Sequence, residues 1–214
     1  MANKNTKKQQ AKKKGGVSPV KLKRWGKRVG ILVVIVAIGY GAVMAMNAFY
    51  PEQPGFAVTI QGRTHSQNCS TQSYNSYPPT SGCHQRSRAA YGVSSTEIPM
   101  DLQIHNLEHG AVMIQYRASG LNAVNEDTIS EIESFVQGLR QEDTRYCRVM
   151  SAPYSGEFSA PETNAGDVDF DAKRIAITAW GRMMLLEGFN SDRALEFINT
   201  HINNGPEDVN DCNV

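Results

Sequence analysis

Residues 29–49, VGILVVIVAIGYGAVMAMNAF, run for 21 positions without a charged side chain. Nothing else in the chain restricts its folding so strongly. A helix of that length rises roughly 30 Å, the depth of a bilayer's hydrocarbon core. Ahead of it stand Lys4, Lys7, Lys8, Lys12, Lys13, Lys14, Lys21, Lys23, Arg24, Lys27 and Arg28, with no acid among residues 1–28. Behind it come Tyr50, Pro51 and Glu52. The positive-inside rule then predicts a basic arm, 1–28, in the cytoplasm, an anchor, 29–49, and everything beyond it outside. Trp25 and Tyr50 fall where interfacial aromatics belong. The rival is a signal peptide cleaved near Val43-Met44-Ala45, but the long basic region and long apolar run favour a retained anchor. Gly41 and Ala45 make a small-xxx-small pair, a pattern common in membrane helices by chance.

Charge divides the chain at the same place. Half of its 22 Lys and Arg lie in the arm, and all 21 Asp and Glu lie beyond residue 50, which leaves the C-terminal part a formal −10. Phosphate backbones would be repelled, so nucleic acid is not an expected partner; the membrane, through residues 29–49, is. No feature points to a protein partner. Cys69, Cys83, Cys147 and Cys212 all fall on the exported side. An even count in an oxidising compartment suggests two disulfides. Three connectivities are open, of which local pairing, Cys69–Cys83 with Cys147–Cys212, is the simplest.

The arm is too polar to bury a core and reads as disordered. Residues 50–57 read as a stiff linker, and 58–214 as one α+β domain. Within it Val58–Ile60 suggests a brief strand, 63–77 a polar loop, and Pro78-Pro79-Thr80-Ser81-Gly82 a turn. Ala111–Tyr116 is expected to be a buried strand. Ile129, Ile132, Phe135, Val136 and Leu139 recur at helical spacing, with acids in the first turn and Arg140 in the last. Two more strands are expected over Tyr146–Ala152 and Arg174–Ala179, joined by a loop at 155–171. A final helix capped by Ser191 presents Leu195, Ile198 and Ile202 and ends by Gly205-Pro206. The expected architecture is a small sheet with helices on one face, a loop-rich N-terminal half, and a single N-terminal transmembrane helix.

Chemistry concentrates between residues 65 and 109, which hold four of the five histidines. His105 and His109 have the spacing that lets two imidazoles on one helical turn share a metal ion. With Glu108 they spell H-x-x-E-H, in which Glu108 would be the base of a zinc-dependent hydrolase. Pro99 upstream and Gly110 directly after argue against the stable helix that this motif needs. His84 and His65 sit in the polar loops, each close to a cysteine. Imidazoles suit copper or zinc where thiols are committed to disulfides, and Met100 and Met113 would add soft donors for Cu(I). His201, alone on the last helix, reads as structural, as do Met113 in its strand and Trp180-Gly181 after another. A third reading gives the histidines and Glu108 only the task of holding loops by hydrogen bonds. No phosphate loop and no G-x-S-x-G elbow is present.

The chain resembles a family through His65 and Asn75-Ser76-Tyr77-Pro78-Pro79-Thr80-Ser81-Gly82-Cys83-His84, then Tyr91-Gly92-Val93 with Pro99. His105-Asn106-Leu107-Glu108-His109-Gly110, Ser151-Ala152-Pro153-Tyr154, Ala179-Trp180-Gly181 and Pro206-Glu207 complete the pattern. The family is the membrane-anchored bacterial domain of unknown function numbered 3105, matched over roughly residues 60–210. Two departures stand out: Tyr91-Gly92-Val93 for the usual Gly-Val-Tyr order, and Cys83 where a Pro usually precedes the His. The resemblance implies an extracytoplasmic α+β domain on one anchor in a bacterial inner membrane, facing the periplasm or the exterior. It also joins His65, His84, His105 and His109 into one set. It supplies no function.

Overall fold

The structure is a computed structural model that describes residues 19–49, 53–69, 73–161 and 165–212. Helix α1, Pro19–Phe49, is one unit, and residues from Gln53 onward form the other. Within α1 the stretch Lys27–Met44 is long and apolar enough to cross a membrane, and its side chains are exposed. The helix starts ten residues ahead of the expected anchor, so 19–28 are helical rather than disordered. Lys and Arg are good helix formers, and a helix already nucleated by the apolar run extends through them at little cost. The rest of the arm, residues 1–18, lies outside the described residues, as do 50–52 of the expected linker.

The second unit is built on a mixed sheet of six strands in the order β1-β6-β5-β3-β4-β2. These are β1 (Phe56–Ala57), β2 (Gly92–Val93), β3 (Val112–Arg117), β4 (Val149–Tyr154), β5 (Ile175–Ala179) and β6 (Arg182–Leu186). β3 and β4 run parallel at the centre, joined through α3 (Glu126–Glu142) and a 3-10 turn at Thr144–Tyr146. The remaining helices are α2 (Met100–Glu108) and α4 (Ser191–His201).

Central parallel strands are covered on both faces, and the residues alternate to suit. Val112, Ile114, Tyr116, Val149, Ile175 and Ile177 meet Ile132 and Val136 of α3 and Phe197 and Ile198 of α4. Met113, Met150 and Ala152 point the other way and meet Leu107 and Leu102 of α2. The helices therefore do not share one face, as the sequence had suggested. Two short-range expectations also shift. The linker's last residues, Phe56 and Ala57, are β1, hydrogen-bonded to β6, while Val58–Ile60 lies outside the sheet. The strand expected from Tyr146 begins at Val149, because Asp143 caps the 3-10 turn first.

Candidate metal centre

Helix α2 forms where Pro99 and Gly110 argued against one. Pro99 occupies the N-cap, where a missing N–H costs nothing, and its carbonyl accepts from Leu102 and Gln103 N–H at 3.0 Å each. Asp101 sits in the first turn, favourably placed for the helix dipole. The helix runs to Glu108 and only then meets Gly110, whose φ of +80° turns the chain into β3. A Cβ there would come within 2.8 Å of the Asn203 backbone, so the tail after α4 closes over this end. Glu207 N–H donates to Glu108 O at 3.1 Å and completes the cap.

Two loop segments meet the open side of α2. Residues around His65 and His84 run parallel, with Ser66 N–H donating to His84 O and His84 N–H to Thr64 O, both at 2.9 Å. The Cys69–Cys83 disulfide ties the same two segments, and Cys147–Cys212 ties the C-terminal tail to the start of β4. Asn106 holds the next segment by a reciprocal pair with Ala89, both bonds at 2.9 Å. That clamp keeps Gln85 O at 2.6 Å from His105 Nδ1.

His65, His84, His105 and Glu108 converge, each offering one ligand atom within 4.8 Å of every other, and the group fits a metal ion. All but His65 are buried. His84 Nδ1 lies 2.7 Å from Gly82 O and His105 Nδ1 2.6 Å from Gln85 O. A carbonyl only accepts, so both Nδ1 atoms carry the proton and both Nε2 atoms are left to other partners. His84 Nε2 stands 2.8 Å from Glu108 Oε2 and 3.1 Å from His65 Nε2, which is itself 3.3 Å from Glu108 Oε2. An Nε2 lone pair facing a carboxylate at 2.8 Å requires a proton or another cation between them.

Charge at the centre is set by its surroundings. Burial alone would raise the Glu108 carboxyl, but the hydrogen bond from Arg63 at 2.7 Å and the interaction with the facing His84 ring outweigh it, and its pKa is lowered. Burial lowers the pKa of His105, keeping its ring neutral and its lone pair available. Arg63, half-exposed, spans from Glu108 to Glu207 Oε1 at 2.9 Å.

His109 stands beside this group, its ring 4.5 Å from that of His105, as helical spacing requires. It does not converge with the others. Its Nδ1 lies 2.8 Å from Asp211 Oδ2 and its Nε2 3.4 Å from Glu207 Oε2. Asp211 also accepts from Tyr91 at 2.6 Å and Arg148 at 2.9 Å. Neither acid had been singled out, nor had Arg63; Pro206-Glu207 in the family pattern was the one available signal. Met100 and Met113 are committed to apolar clusters. His201 is buried beneath Pro54 O at 3.2 Å, away from the site.

An α+β domain that gathers three histidines and a carboxylate at one point, preceded in sequence by an apolar helix, defines a class of candidate metal-holding proteins. The chain belongs to the family described as protein of unknown function DUF3105, whose model matches residues 65–214. No curated protein and no solved structure matches the chain significantly.

Proposed function

We propose that this is a single-pass membrane protein whose extracytoplasmic domain holds a divalent copper or zinc ion at His65, His84, His105 and Glu108. The observation that carries this is the pair of backbone carbonyls, Gly82 O and Gln85 O, that bind Nδ1 of His84 and His105. They select the tautomer a metal needs and hold the rings before any ion arrives. Spacing supports it too. Ligands at about 2.0–2.1 Å around a tetrahedral zinc stand roughly 3.3 Å apart, and the separations among His65, His84 and Glu108 are 2.8, 3.1 and 3.3 Å, with all four ligand atoms within 4.8 Å of one another.

Donor chemistry favours Cu(II) or Zn(II) over Cu(I), because nitrogen and carboxylate oxygen fill the site and neither methionine sulfur is committed to it. The ion would supply positive charge where Glu108 and the imidazole lone pairs converge. Four protein donors would fill a tetrahedral shell, which suits holding an ion more than activating water. Glu108 is bound directly by Arg63 and His84 instead of standing one water away as a general base would. The hydrolase reading therefore ranks second. The basic residues ahead of the apolar helix and the two disulfides, which persist in oxidising compartments, support a site outside the cytoplasm.

Thermal melting of the full chain in detergent tests the reading. Zn(II) or Cu(II) in excess raises the melting temperature of the wild type by mass action. His84→Ala abolishes the rise and His201→Ala keeps it. A wild type that melts at the same temperature with and without metal at neutral pH leaves the four residues as hydrogen-bonded loop ties. A reporter fused after Val214 checks the compartment, and cytoplasmic activity at that end reverses the topology.

A further inference from the structure

We infer that His109 Nε2 and Glu207 Oε2 form a second, outer position for the same class of divalent ion, through which the inner site is loaded. The inference rests on the metal-holding reading above and extends it to a residue pair outside the converging group. His109 repeats the arrangement seen in His84 and His105. Its Nδ1 is bound to an acceptor, here Asp211 Oδ2 at 2.8 Å, and its Nε2 is turned away toward other partners. Carboxylates that bind the far nitrogen of an imidazole fix its tautomer and raise its basicity as a ligand. Asp211 is held for this by Tyr91, Arg148 and Arg88, the last at 3.2 Å.

The atom facing His109 Nε2 is an anionic oxygen, Glu207 Oε2, at 3.4 Å. That separation is close to the edge of a tetrahedron with ligands at about 2.0–2.1 Å. Glu207 is about a third exposed, whereas the His109 side chain is nearly buried, so solvent meets the pair mainly at the Glu207 carboxylate. Two protein donors, with water completing the shell, make a weak site, as a loading position requires.

The outer pair adjoins the inner group at two points. The His109 ring lies 4.5 Å from the ring of His105. Arg63 bridges Glu207 Oε1 and Glu108 Oε1, at 2.9 and 2.7 Å. It balances both carboxylates in the metal-free protein, and its exposure leaves it free to swing aside as an ion moves inward. The bond from Glu207 N–H to Glu108 O keeps the two positions in register.

Calorimetric titration of the metal-free full chain in detergent with Zn(II) alone tests this, together with stopped-flow measurement of the loading rate. Wild type is expected to take two equivalents, one tight and one weaker. His109→Ala and, separately, Glu207→Gln are expected to lose the weaker equivalent and to load the tight one about tenfold more slowly or worse. Glu207→Gln keeps the shape of a partly exposed side chain, so it covers the case in which His109→Ala fails to fold. A single equivalent in wild type, or a weaker equivalent that survives in Glu207→Gln, overturns the outer position while leaving the inner one standing. No zinc binding at all in wild type overturns both.

Discussion

The two faces of the sheet are made of opposite material. Against α3 and α4, Val112, Ile114, Ile175, Ile177, Ile132, Val136, Phe197 and Ile198 close a mainly apolar layer. On the α2 side, buried Gln103, Asn106, Glu108, Gln115 and Thr178 interrupt the apolar contacts, and His84 comes in from the loops. Burying such groups is favourable only when each finds a partner. Asn106 finds Ala89, Gln103 donates to Gln115 at 3.0 Å, and Glu108 finds Arg63 and His84, whereas Gln103 Oε1, Gln115 Nε2 and Thr178 Oγ1 are buried without a partner among the described residues. One face thus stabilises the domain by non-directional packing. The other spends part of that stability on directed contacts that hold His65, His84, His105 and Glu108 together.

Cutting each face separately gives the largest expected effect. Phe197→Ala removes a fully buried ring from the apolar layer and should cost about 3–5 kcal/mol, read from denaturant unfolding. Zinc affinity of the remaining folded protein should be unchanged. Equal loss of affinity in Phe197→Ala and His84→Ala would show that the two faces are not separable.

The disulfides sharpen the contrast. In the chain-entropy model, removing the Cys147–Cys212 bridge, which spans 65 residues, costs about 4 kcal/mol, and removing Cys69–Cys83, which spans 14, about 3 kcal/mol. The smaller cut should have the larger effect on the proposed inner site, since of the two bridges only Cys69–Cys83 joins the His65 and His84 segments. Paired Cys→Ala variants, followed by melting and by zinc titration, separate the two losses.

A smaller effect is expected from Asp211, on the α2 side. Burial would raise its carboxyl, but hydrogen bonds from Tyr91, His109 and Arg148 lower it from 3.8 to about 2. A depressed carboxylate contributes stability that is fully present above pH 3.8 and is lost as pH falls through about 2. Asp211→Asn should therefore cost about 2 kcal/mol at pH 7, and that difference from wild type should shrink toward zero at the acid end of this window. A constant difference down to pH 2 would place the cost in packing instead of charge.

The smallest effect is a slope. Burial lowers the His105 pKa, so the stability tied to its neutral ring is present above about 6.5 and is lost as pH falls through the lowered value. His105 stays available to metal below the pH at which an unperturbed imidazole protonates. Replacing it with Ala removes that titration and should leave a shallower fall in stability with acid, and an equal or steeper fall would contradict the assignment. Urea melts at pH 7 and 5 distinguish the two.

The same division explains what the sequence revealed. The apolar face was legible because α3 and α4 carry strict helical spacing, although the last helix is capped by Asn190, which accepts from Arg193 N–H, and not by Ser191, its first helical residue. β3 and β5 were legible as continuous apolar runs. Strand β6 was missed because Arg182-Met183-Met184 gives no alternation, although Trp180-Gly181 is the turn that pairs it with β5. Helix α2 was misjudged because its histidines and Gln103 mask the helical period, and Pro99 looked like a breaker when it is a cap. His105 and Glu108 were visible as neighbours in one motif. Their meeting with His84 was not, because it depends on a bridge between loop segments that only the Cys69–Cys83 staple hinted at. Spacing paired His105 with His109, yet His109 is engaged by Asp211, 102 residues away, which no local pattern encodes.

Zinc titration of the metal-free full chain, wild type against His84→Ala, tests the central claim most directly. His84 is fully buried, donates Nδ1–H to Gly82 O and stands between His65 and Glu108. Wild type should bind one tight equivalent at pH 7, weakening as the solution is acidified through the imidazole range. His84→Ala should lose that equivalent while remaining folded by its far-ultraviolet circular dichroism. A wild type that binds no zinc, or a folded His84→Ala that binds it as tightly, would contradict the assignment of His65, His84, His105 and Glu108 as a metal site.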